Sequence, residues 1–169
     1  MRLVARFALA LSALAAVSSS ALAAEPPADG VRVDVPVMLK EAKVVYNMDH
    51  GSAMVGDQPV GLTYMALMVK RFKEDHTQWR IAAVFHNSMA YLLLNDGAYN
   101  KVRKTSHGNP YKEQIATLVA EGVEIEECAV SMRNNGWTNA DLLPGVKVTT
   151  GAVGRIVQLV QEGYVQVEP

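Results

Sequence analysis

Residues 79–85 read Trp-Arg-Ile-Ala-Ala-Val-Phe, and everything after Arg80 in that stretch is apolar. A short run without alternation fits a strand buried on both faces of a sheet that helices cover on each side. Upstream, residues 43–48 (KVVYNM) form a second β-type run. Between the two, Val60, Tyr64, Leu67, Met68 and Phe72 recur at helical spacing, and residues 49–56 read as a polar loop. Downstream, Ser88–Leu94 reads as a short apolar helical piece that Asn95-Asp96-Gly97 ends, and residues 101–109 as a polar loop. Pro110 opens a helix marked by Tyr111, Ile115, Leu118 and Val119, with Gly122 just past its end. Residues 123–128 (VEIEEC) alternate as a strand, and Ala129–Asn135 gives one or two helical turns. Val146–Thr150 is a further strand. Val153, Ile156, Val157 and Val160 make a clean helical stripe before Gly163, and Tyr164–Val167 is a last strand. Strands alternating with helices predict an α/β domain of three layers, flavodoxin-like, with a mostly parallel sheet of about five strands.

The N-terminal residues have a different character. Arg2 and Arg6 precede an apolar stretch from Phe7 to Val17, then Ser18-Ser19-Ser20 leads into Ala21-Leu22-Ala23. A charged start, a short apolar run and small residues before a cut describe a secretory signal peptide, with cleavage near Ala23 or Ala24. The run is shorter than the ~20 residues a membrane span needs. The expected organisation is therefore a signal peptide over 1–24, a Pro/Gly/Asp-rich tail over 25–42 and one domain over 43–169. The expected place is the periplasm.

Charge excludes one class of partner. The chain has 16 Lys+Arg against 17 Asp+Glu, and Arg2 and Arg6 belong to the signal, so the mature protein is slightly acidic. Only Lys101, Arg103 and Lys104 cluster, which does not make a nucleic-acid surface. The chain has a single cysteine, Cys128. In an exported protein a lone cysteine reads as an intermolecular disulfide, a free reactive thiol or an inert buried residue.

Position favours reactivity. Open α/β sheets bind ligands outside the carboxyl ends of their strands, and the polar residues fall there. Asn47, Asp49 and His50 follow the first strand and His86 and Asn87 the second. Cys128 ends the third, with Ser131, Met132, Asn134 and Asn135 beyond it. A thiol before a short helix feels unpaired N–H groups that favour thiolate, the form that attacks disulfides and polysulfides. His86 reads either as a hydrogen-bonded structural histidine or as an acid/base beside Cys128. His76 and His107 lie among charged or turn residues. Met48, Met54, Met89 and Met132 lie close enough to raise copper, but no C-x-x-C or H-x-x-x-H spacing accompanies them. No metal or cofactor is assigned.

Several segments carry a resemblance. They are Gly122–Cys128, Asn134-Asn135, Asp141–Val146, Thr150–Val153 and Gln161–Tyr164. In order and spacing they resemble the DsrE/DsrF-like sulfur-relay family, especially its small exported members. The resemblance implies a flavodoxin-like fold, a homo-oligomer (trimer or hexamer), and a match of Cys128 to the family cysteine that carries sulfur as a persulfide. The reading is a periplasmic sulfur carrier or sulfurtransferase. Cys128 and His86 would be catalytic, and Asn47, Asp49, His50, Asn87, Met132 and Asn134 would bind substrate. The partner would be a small sulfur donor or a thiol protein. The alternative is a non-catalytic ligand-binding or assembly module in which Cys128 only packs.

Overall fold

The computed structural model describes residues 29–50 and 52–169; the expected signal peptide lies outside them. Two units divide the chain between Pro36 and Val37. In the described part of the first, Arg32 pairs with Asp34 at 2.7 Å. All strands and helices described below belong to the second.

That unit runs β1 (Glu41–Met48), a small antiparallel hairpin of β2 (Met54–Val55) and β3 (Gln58–Pro59), α1 (Val60–Glu74), β4 (Gln78–Phe85) and a 3-10 helix (Asn87–Leu93). It continues through α2 (Asp96–Arg103), α3 (Lys112–Glu121), β5 (Glu124–Cys128), α4 (Ala129–Asn135), β6 (Lys147–Thr149), α5 (Ala152–Gln161) and β7 (Val165–Val167). Five strands form one parallel sheet in the order β6-β5-β4-β1-β7. The flavodoxin-like α/β expectation is the observed architecture. β1 starts two residues earlier than Lys43, and the expected polar loop after it contains the β2–β3 hairpin.

The apolar run of β4 is central because both faces of the sheet are covered. On one face Tyr46, Phe85 and Ile125 pack with Leu62 and Met65 of α1 and Ile115 of α3. On the other, Val45, Val84 and Cys128 pack with Ala152, Ile156 and Leu159 of α5. β-strand alternation makes this division.

Three helical expectations need correction. α1 buries Leu62, Met65, Val69 and Phe72, while Tyr64 and Leu67 are exposed. α5 buries Ala152, Ile156 and Leu159, and leaves Val153, Val157 and Val160 exposed. Both helices are apolar on two sides: of the expected stripes Phe72 and Ile156 are buried, but most of the other members face outward. The short helical piece does end just before Asn95, but Asn95-Asp96-Gly97 also begins a helix: Asn95 Oδ1 accepts the Ala98 N–H at 3.0 Å and caps α2, which occupies part of the expected loop.

Candidate functional site

β4 and β5 are in register, with Phe85 opposite Glu127, so His86 and Cys128 are the next neighbours across the ladder. Alternation from Val45 and Val84 puts Asn47 and His86 on the α5 face, the face that Cys128 shares. The carboxyl edge of the sheet thus brings Asn47, His86 and Cys128 together, and the residues between them are core.

Cys128 is 4 % exposed and not in a disulfide. Its Sγ accepts the N–H of Ala152, the first residue of α5, at 3.3 Å. Burial pushes the thiol up, but the N–H groups of Ser131, Ala152 and Val130 and the Ser131 hydroxyl stabilise the thiolate, and the net pKa is below the ordinary thiol value. Two helix starts, α4 and α5, therefore converge on one sulfur. Ser131 Oγ also accepts the Asn87 N–H at 3.0 Å, which ties the β4 exit to the first turn of α4. Asn87 holds a φ of +50°, a left-handed conformation that a non-glycine residue adopts at some cost.

His86 is oriented by a short chain of hydrogen bonds. Its Nε2 lies 2.8 Å from Asn47 Oδ1, and Asn47 Nδ2 donates to Glu168 Oε1 at 3.1 Å. Asn47 offers an oxygen, so Nε2 carries the proton and Nδ1 keeps the lone pair. Burial lowers the His86 pKa, Asp49 raises it and His50 lowers it. The Asp49 carboxylate is 4.0 Å from Nε2. The imidazole is neutral at neutral pH and can accept a proton.

The other expected site residues divide. Asp49 lies at the edge of the group, its N–H bonded to Ser52 Oγ at 3.1 Å. His50 is exposed, with Nδ1 3.7 Å from Asp49. Met132 packs into the larger core cluster on the opposite face from Cys128, and Asn134 is exposed on α4; the structure brings neither to the thiol. Sequence reasoning gave no role to three groups that do touch the site: Ser131, the Ala152 N–H and Glu168. Ser131 had a signal, as a hydroxyl three residues after Cys128. A backbone N–H carries no residue signature, and Glu168 arrives from 121 positions away.

The sequence matches the model of the DsrE/DsrF-like family over residues 54–169, and that match includes Cys128. The chain belongs to the DsrE/DsrF-like family. Two solved structures share the fold. A protein of unknown function from Methanobacterium thermoautotrophicum, MTH1491, superposes with a TM-score of 0.58 at 24% identity, over 76% of this chain and 99% of that one. The ychN protein from E. coli gives 0.52 at 15% identity over the same shares. A comparison with curated proteins gives no match. No helix among the described residues is long and apolar enough to cross a membrane.

Proposed function

We propose that this DsrE/DsrF-like chain is a periplasmic sulfur carrier, in which Cys128 accepts sulfane sulfur from a small donor and passes it to a partner thiol. The observation that supports this best is the seat of Sγ, where N–H groups from two helix starts and the Ser131 hydroxyl favour thiolate. The step balances without an oxidant. The Cys128 thiolate attacks the outer sulfur of R–S–SH, a new Sγ–S bond forms, and the donor S–S bond breaks with its electron pair leaving on R–S⁻. His86 takes the thiol proton on Nδ1 and returns it to the leaving sulfur, while Asn47 and Glu168 hold the ring. Transfer to an acceptor thiol is the same exchange in reverse.

The second reading, a binding or assembly module, draws support from the burial of Cys128. One measurement separates the two. Intact mass spectrometry of protein from the periplasmic fraction, treated with a low-molecular-weight persulfide or polysulfide, should show a chain cut near Ala23 or Ala24. That chain should carry one added sulfur, and Cys128→Ser should carry none. An unmodified wild-type mass would sink sulfur carriage and leave the packing role. A full-length mass in that fraction would remove the export proposal. Self-association as a trimer or hexamer belongs to the same reading, and the exposed apolar surface supports it.

A further inference from the structure

Three glutamates share β5, and two of them meet cations. Glu124 pairs with Lys147 at 3.1 Å, and Glu126 is gripped by Arg155, Nη2 to Oε1 at 2.7 Å. Glu127 meets none. Its side chain is fully buried, Oε1 accepts the Cys128 N–H at 3.1 Å, and Oε2 is buried without a hydrogen-bond partner. An ionised carboxylate with one donor and no countercharge is costly to bury, and a neutral acid far less so.

We propose that Glu127 is a positioning residue that stays a neutral carboxylic acid beside Cys128, so that when the thiol ionises the adjacent pair holds one negative charge and not two. Burial pushes the carboxyl up to about 9; the Cys128 N–H pulls against it and the charge of the thiolate adds to it. The elements packed against β5 supply no compensating charge. Lys147 of β6 and Arg155 of α5 are committed to Glu124 and Glu126, and His86 at the end of β4 to Asn47. On α3, Lys112 pairs with Asp96 and Glu121 with Lys73, while Glu113 is exposed; Tyr91 of the 3-10 helix lies under Arg103. Arg80 of β4 and Arg133 of α4 are exposed. The thiol is thus the charged neighbour to which the carboxyl answers. Oε1 also fixes the Cys128 backbone at the junction with α4, so carboxyl and thiol share geometry as well as charge.

This inference rests on Cys128 being the reacting thiol of the site, but its test needs no sulfur donor. Infrared spectra of the full chain, with ¹³C-labelled glutamate carboxyls, compare wild type, Glu127→Gln and Cys128→Ser. A protonated-carboxyl band is expected at neutral pH, absent from Glu127→Gln. It should titrate away near 9 in wild type and about one pH unit lower in Cys128→Ser, where the neighbouring charge is gone. No such band in wild type, or a midpoint that ignores Cys128→Ser, overturns the proposal. If Glu127→Gln does not fold, carboxyl ¹³C NMR of wild type and Cys128→Ser gives both readings. A protein that shows the coupled titration yet takes up no sulfur would sink sulfur carriage alone.

Discussion

Glu127 and Cys128 are consecutive, yet alternation sends their side chains to opposite faces of the sheet, and only the fold of Oε1 back onto the Cys128 N–H reconnects them. That arrangement has a cost that pH reveals. Unfolded, the Glu127 carboxyl ionises near its ordinary value of 4.5; folded, burial holds it up to about 9. Between those values the folded protein keeps a proton that the unfolded chain has lost. Stability therefore falls as pH rises through this window, by up to ~1.4 kcal/mol per pH unit. Below the window both states are protonated and above it both are ionised, so the contribution is flat. Glu127→Gln cannot titrate, and its urea stability relative to wild type should climb between about pH 5 and pH 8, by as much as ~4 kcal/mol. The slope is the prediction, since the new amide shifts the whole curve by a constant. A gap that stays level over that range would mean that the folded carboxyl is already ionised. The wild-type protein would then not hold a destabilising group beside its thiol, as sites often do.

At the scale of elements, the α/β order was legible because strands and helices differ in period, and β4 could be read from five consecutive apolar residues. What was not legible is which way an element faces when it is apolar on two sides, as α1 and α5 are, because burial is decided by neighbours distant in sequence. The site shows the same limit. Asn47, His86 and Cys128 were found because strand ends are marked locally, whereas one donor on Sγ, the Ala152 N–H, comes from α5, 24 residues on. The start of α2 was misread for a different reason: Asn and Asp serve both turns and N-caps. The cap gives a direct test. Asn95 accepts the Ala98 N–H, and its amide donates to the Ala140 carbonyl at 2.8 Å. Asn95→Ala should lower the unfolding free energy by ~1–2 kcal/mol, and Asn95→Asp, which keeps the acceptor, should lose less. Equal losses for the two variants would place the energy in the Ala140 contact and not in the cap.

The whole domain leaves apolar surface uncovered, and its position is not random. α1 and the β1–β7 side of the sheet border a cavity of about 900 Å³, lined by Tyr64, Leu67, Met68, Phe72, Val165 and Val167. β7 is the edge strand there, with Val165 66% exposed, and the outer side of α5 adds Val153 at 73%. An open edge strand beside a large apolar groove is a template for further pairing, and proteins seldom leave one bare. The occupant we expect is a second copy of this chain, because closed assemblies of identical subunits cover such a face in every protomer at once. Sedimentation of the mature protein should give three or six times the protomer mass. Leu67→Glu with Val165→Glu should move it towards the protomer, since each places an uncompensated charge in the buried groove. Circular dichroism must stay unchanged for that shift to count, because both residues are exposed in the single chain and their replacement does not touch the core. The carboxyl edge with Cys128 is built from β1, β4, β5, the starts of α4 and α5, and Glu168 just past β7, and neither substitution replaces a residue of it. Sulfur uptake by the dissociated form would then show whether one protomer suffices for the site. A wild type that sediments as a protomer at every concentration would end the assembly argument and leave the groove without an occupant.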